Sequence, residues 1–411
     1  MNIRFLKWSV FLIILCYNHS VFSQGFQVNF LSQRQQGMGL AGSAAPYDAS
    51  ALFCNPGSTV FLDENNLVAG VTPVFGNVMF VDSSTQTAYR SNSPVGTPFS
   101  VYGMFQLKPA AKLKFGLSIN TPFGSTIQYE DNWIGRFALT RLELKAIFIQ
   151  PTFAYRIADH IGIGGGFVIS KGKVNLQKDI PVQDSSGTYG HAELAGKAIG
   201  FGYNLGIYFN PSKQLSIGLS YRSKINMNLP NGEATFTVPN GLAANFPNGG
   251  FTGSLPLPSV TTLGFAYHPC SAFTVVLDIN RVGWKVYDTL AFDYATNTSS
   301  LLDTKSPRLY KSIFAFRSGV EIKPCKSLAL RIGGGYGFCP VPSGYVTPET
   351  PDGNRIYGTL GIGYSFCEKF CVDASFYYTK ITRSDTNLET NLSGTYTTIA
   401  LAPGLSISYK W

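Results

Sequence analysis

Apolar and polar residues alternate without a break along "LSISYKW", from Leu405 to Trp411. Extended backbone points successive side chains to opposite faces, so Leu405, Ile407, Tyr409 and Trp411 share one face while Ser406, Ser408 and Lys410 share the other. A half-buried strand of a soluble sandwich reads the same way, so what matters is recurrence. The alternation returns in "KLKFGLSIN", "AIGFGYNLGIYF", "QLSIGLSYR", "SVTTLGFAY", "FTVVLDIN", "IFAFRSGVEI", "SLALRIGGGY", "RIYGTLGIGYSF" and "FCVDASFYY". With the segments between, it predicts about fourteen strands of the roughly ten-residue length that a tilted membrane strand needs.

The connections sort by length. "KPAAK", "IADHI", "NPSKQ", "HPCSA", "KPCKS" and "CEKF" are tight turns, whereas 82–97, 121–143, 179–195, 226–255, 287–309, 338–354 and 382–394 are long. Short and long alternate along the chain, which puts all the short turns at one end of the strands. Outer-membrane barrels have this asymmetry, with short periplasmic turns and longer external loops, and soluble sandwiches have no reason for it. Parity then assigns faces: Leu113, Phe115, Leu117 and Ile119 to lipid, Lys114, Gly116, Ser118 and Asn120 to the interior. The same count sends Arg222, Asp278, Arg317, Glu321, Arg331, Arg355 and Asp373 into the lumen.

Composition sharpens this picture. The chain of 411 residues is 14% aromatic and only 13% charged, about half the charge of an ordinary soluble domain. Arg4 and Lys7 followed by "WSVFLIILCY" and "VFSQ" read as a secretory leader over residues 1–23, cut ahead of Gln24. Its removal takes two positive charges from a formal net charge of +9, and the rest are scattered, so no nucleic-acid partner is expected. No later window approaches the 18 or so consecutive apolar residues of a membrane helix. A membrane protein of this composition must therefore be a closed barrel, because lipid tolerates no unpaired strand edge.

Residues 24–62 lack the period of two. The small-residue-rich stretch "GFQVNFLSQRQQGMGLAGSAAPYDASALFCNPGSTVF" predicts short helices and turns, a compact plug inside the end that carries the tight turns. The barrel itself is expected over 63–411.

Candidate chemistry is sparse. Outside the leader only His160, His191 and His268 are present, with no G-x-S-x-G, H-E-x-x-H or C-x-x-C, so no catalytic residue, metal site or cofactor is expected. "GIGGGF", Gly162 to Phe167, lacks the strand-then-helix frame of a phosphate loop and is read as close backbone approach in a barrel strand. Cys367 with Cys371, and Cys270 with Cys325, lie at turns where either disulfides or free thiols fit an oxidising compartment. Lumenal arginines either brace the barrel or meet a carboxylate, for which guanidinium is suited; Arg317 and Arg331 are the candidates for the second role. The long segment 226–255 carries Phe236, Phe246 and Phe251 as material for an external apolar capture surface, or for plain loop packing.

Several stretches together resemble the FadL-type outer-membrane transporters of long-chain fatty acids and other hydrophobic compounds, which include a toluene-uptake branch. They are "GMGLAGSAAPYDASALFCNPGSTVFL", "TPFG", "WIGR", "LPLPSVTTLGFAY", "DINRVGWKVYDTL" with Trp284, and the long run from Arg317 to Phe366. The resemblance implies an all-β transmembrane barrel of fourteen antiparallel strands with an N-terminal hatch. It implies hatch or gating roles for Asp48, Ser50, Asn55, Pro56 and Gly57, the last standing where alanine is usual. It also makes Pro122 and Phe123 candidate ligand contacts, although Thr121 replaces the asparagine of the family's N-P-F-G stretch. The implied route is passive: external capture, lumenal binding, hatch rearrangement and sideways exit through the wall.

A Gram-negative outer-membrane location follows, with membrane lipid and lipopolysaccharide around the barrel. The aromatic terminus resembles the signal read by the barrel-assembly machinery, and a monomer is expected. Two other classes compete: a general porin or adhesive barrel, and a barrel lipase, which the scarcity of histidine disfavours.

Overall fold

The computed structural model describes residues 25–108 and 111–411; the leader predicted over 1–23 lies outside them. Twenty strand segments form one antiparallel sheet, and they make fourteen staves of a closed barrel because some staves are interrupted along their length. The first stave shows how. Asn66–Val71 and Phe75–Asp82 keep one register against the last strand, Ser393–Lys410, with Val71 opposite Leu405 and Phe75 opposite Leu401. Because first pairs with last, the sheet closes into a ring and neither terminal stave is left as an open edge in lipid.

The side chains sort as the alternation predicts. Phe201, Tyr203, Leu205 and Ile207 are each about half exposed on the outer wall, while Asn204 between them is buried. On the third stave, Leu113–Gln128, Leu113, Phe115 and Leu117 face out and Lys114, Ser118 and Asn120 are buried inside. All four outward residues of the terminal strand, Leu405, Ile407, Tyr409 and Trp411, are exposed, and Trp411 lies against Tyr409 and Phe105. An exposed apolar band this continuous is stable only against hydrocarbon.

Staves on the long-loop side run further than the sequence suggests. Ile161–Gln183 and Tyr189–Phe209 have 23 and 21 residues, about 70 Å at 3.3 Å each, more than twice the apolar band. The segment read as a loop over 226–255 is instead a hairpin of Ile225–Thr237 and Gly249–Leu257. Its inward positions Met227, Leu229 and Ala234 are buried, and a register shift between Leu229 and Gly232 takes up the Pro230 step.

Residues 25–62 lie inside the ring. They form the helix Gln33–Gly37, the helix Ala51–Cys54 and the 3-10 turn Pro56–Phe61. Ser32 caps the first helix by accepting from the Gln35 N–H at 3.4 Å, and Asn55 caps the 3-10 turn by accepting from the Gly57 N–H at 3.1 Å. These elements are too short to be stable alone and depend on the wall around them. All six cysteines among the described residues are free.

Candidate functional site

The wall is broken between its second and third staves. Their ladder ends with Ser100 opposite Asn120 and resumes only at an isolated bridge between Ser91 and Tyr129. The cause lies in the third stave. Thr121 and Pro122 bulge out of register against the fourth stave, between the pairs Asn120–Phe148 and Phe123–Ala146. Proline has no N–H for the ladder, and an extra residue inverts the parity of everything beyond it. Phe123 and Ile127, at odd positions like the lipid-facing Leu117, are therefore buried in the lumen.

On the other side of the break, 94–98 contains Pro94 and Pro98 and bonds backward to the first stave. Val74 donates its N–H to the Gly96 carbonyl at 2.7 Å and Thr72 donates to Pro98 at 3.0 Å. The Thr121 hydroxyl accepts from the Phe99 N–H at 3.0 Å at the lower corner. The unpaired stretch of Pro122 to Ile127 is about 20 Å long at 3.3 Å per residue.

Part of the exposed edge is taken by the chain's own N-terminal segment. Gln27 bridges Phe123, the Val28 N–H donates to the Pro122 carbonyl at 2.8 Å, and the Gly124 N–H donates to Phe26 at 3.1 Å. The Gly25 N–H donates to the Asp352 carboxylate at 2.5 Å. Phe26 packs edge-on against Trp284 at 4.7 Å, Tyr287 at 5.8 Å and Phe123 at 6.2 Å between ring centroids. Burial pushes the Tyr287 hydroxyl up to about 12.

Two adjoining cavities meet at Phe26 and Phe123. One, about 510 Å³, reaches the break and is lined on its two sides by 93–98 and by Thr121, Phe123 and Ile127. The other, about 90 Å³, is a narrow apolar slot among Leu142, Leu144, Met227, Leu229, Leu255 and Phe292. Leu229 and Phe292 connect the slot to an aromatic cluster in the outer hairpins. There Phe251 is buried against Phe292 at 5.4 Å, and Phe236 lies 6.1 Å from Phe246. A third cavity, about 80 Å³ and more polar, is lined by Pro122, Phe123, Arg222, Asp278 and Arg317.

The lumenal charges hold the N-terminal segment. Asp278 accepts from the N–H groups of Gly42 and Ser43 at 3.1 Å each and from the Ser43 hydroxyl at 2.8 Å. Arg317 donates to the Leu40 carbonyl at 3.3 Å and to Asn29 at 3.1 Å. Arg331 joins Glu321 at 2.7 Å and Asp373 at 2.5 Å, and Glu321 also takes Arg34 of the segment at 2.9 Å. Arg222 donates to the Phe53 carbonyl at 2.8 Å and stacks on its ring. Of the two arginines read as carboxylate partners, Arg331 is engaged with protein carboxylates, and Arg317 lines a cavity while holding the segment.

Asp48, Ser50, Asn55, Pro56 and Gly57 come together in the same segment. Asp48 accepts from the Ser50 N–H at 2.8 Å, and the Asn55 amide donates to Ser43 within the segment and to Ile207 in the wall, both at 3.0 Å. A Cβ on Gly57 would stand 2.6 Å from the Gly206 carbonyl and 2.8 Å from Gly162, so only glycine fits there. "GIGGGF" thus serves as the close backbone approach the sequence suggests. Reading the sequence missed Phe26 and Arg34, which carry no period; only their contacts with Trp284 and Glu321, far away in the chain, mark them.

Residues 14–411 match the family described as outer membrane protein transport proteins of the OMPP1, FadL and TodX group. A long-chain fatty acid transport protein of Escherichia coli O6:H1 is 23% identical, over 91% of each chain. A 47 kDa outer membrane protein of Pasteurella multocida is 22% identical, over 95% of each. Among solved structures, a FadL homologue of Pseudomonas aeruginosa superposes with a TM-score of 0.81 at 18% identity, covering 94% of this chain and 99% of that one. The toluene transporter TodX of Pseudomonas putida gives 0.73 at 17%, covering 95% and 99%.

Proposed function

The chain belongs to this outer-membrane transport family, and on that premise we propose that it carries long-chain fatty acids or similar hydrophobic compounds passively into the membrane wall. The observation behind this reading is the break in the wall beside cavities whose inner boundary is the N-terminal segment itself. An amphiphile is collected on the Phe236, Phe246 and Phe251 cluster, slides its tail into the apolar slot, and passes Phe26 and Phe123 into the larger cavity. The slot is too small for a whole long chain, so entry parts Phe26 from its aromatic neighbours. The segment then withdraws Gln27 and Val28 from the edge at Phe123, and the ligand leaves sideways between the second and third staves.

Burial of each CH₂ contributes about 0.8 kcal/mol, so a chain of sites that each cover part of the tail avoids hydrating it in an aqueous pore. In this reading residues 24–62 are a hatch, with Asn55, Pro56 and Gly57 as its fixed footing on the sixth stave. In the same reading the barrel acts as a monomer.

Native mass spectrometry of the detergent-purified barrel, with conductance in planar bilayers, tests the reading. The expected result is a retained fatty acid or hydrocarbon and little steady conductance. A large ohmic conductance with no retained apolar molecule would instead support a general porin.

A further inference from the structure

Four lysines form a compact patch on the outer wall just beyond the apolar band. Lys145, Lys173 and Lys197 stand directly opposite one another on the fourth, fifth and sixth staves, and Lys171 lies one outward position closer to the band, between Ile147 and Ile199. All four are exposed. They share the parity of Phe153, Phe167 and Phe201, which face lipid, and Phe167 and Phe201 stack at 6.0 Å beneath them.

Like charges directly opposite across a ladder are destabilising. The local carboxylate, Glu143, is 3.5 Å from Lys173 and 3.8 Å from Arg141. No ion pair within the described residues engages Lys145, Lys171 or Lys197. Higher on the same face, Asp179 pairs with His191 and Glu193 accepts from Asn175. The patch therefore keeps an excess of positive charge just beyond the apolar face of Phe153, Phe167 and Phe201.

We propose that this patch binds the phosphate groups of a phosphorylated glycolipid in the outer leaflet. The tails lie on the Phe153, Phe167 and Phe201 face below, and the phosphates lie among the lysines. Spacing favours this occupant over a single carboxylate. Neighbouring staves are about 4.8 Å apart, so the row spans about 10 Å, more than one carboxylate reaches and suited to a head group with two phosphates. The patch borders the ligand route, since Lys145 lines both the slot and the larger cavity, Lys173 lines the slot and the Lys145 ammonium lies 5.9 Å from the Phe99 ring; the proposal itself rests on the membrane location alone.

The test measures retention of diphosphorylated lipid A by the full barrel in nanodiscs, using native mass spectrometry. It compares the wild type with the K145Q/K171Q/K173Q/K197Q variant and with K108Q/K326Q/K369Q on the tight-turn rim. The expected result is at least a tenfold loss of lipid A in the first variant and none in the second. Wild-type retention of a dephosphorylated lipid A with the same acyl chains should be as low as that of the first variant. If the four-lysine variant fails to give a heat-modifiable band, K173Q/K197Q replaces it, with at least a threefold loss expected. Equal retention in all proteins overturns the site. Displacement of lipid A by millimolar inorganic phosphate overturns the lipid assignment. So does a fall in fatty-acid uptake with lipid A retention unchanged, which would make the patch part of the ligand route.

Discussion

At Gly39 the backbone has φ of +68°, and a Cβ would stand 2.1 Å from the Ser318 carbonyl and 2.5 Å from the Gly334 nitrogen. An L-residue in the left-handed region costs roughly 1–2 kcal/mol even where space is free, and here there is none. Gly39→Ala is therefore expected to dislodge the N-terminal segment without unfolding the ring, whose ladder does not involve it. Planar-bilayer recordings should show steady conductance several-fold above wild type, with the heat-modifiable band retained; a closed, quiet channel would count against the fit. Single residues were legible in sequence where parity alone decides them. Arg222, Asp278, Glu321 and Asp373 are buried in the lumen as alternation requires. What the first three hold was not legible, because their partners Phe53, Ser43 and Arg34 belong to a segment with no period, far away in the chain.

Elements followed the same division. Strands repeat a two-residue signal and were readable one by one, whereas the hairpin over 225–257 was read as a loop because Pro230 and a register shift interrupt its alternation. The N-terminal segment has only its small residues to mark it, and their meaning appears when Gly57 is seen pressed on Gly206 and Gly162. Asn55 is the polar link at that footing, bonded both to Ser43 and to the wall at Ile207. Leaving buried partners unsatisfied costs about 1–3 kcal/mol per group, little beside a fourteen-stave ladder. The N55A/P56A variant should therefore keep its heat-modifiable fold and reach the surface at wild-type level, while uptake of a radiolabelled long-chain fatty acid changes at least threefold. Loss of the folded band would make this footing a structural brace of the barrel.

At the scale of the whole molecule, closure of first stave on last makes the ring, and a single proline bulge opens it again. The ring was legible from the sorting of turn lengths. The opening was not, since "TPFG" shows a proline in a strand but not which neighbour loses its ladder. That outcome depends on 94–98 turning back to the first stave and on Phe123 turning inward. Deletion of Pro122 removes the extra residue, restores one parity along the third stave and lets it pair with the second. Fatty-acid uptake by cells that display this variant as their sole channel of the kind, at surface levels matched to wild type, is the direct measurement of sideways exit. The account predicts uptake at the level of cells without the channel. Uptake at the wild-type rate through a barrel closed in this way would contradict it.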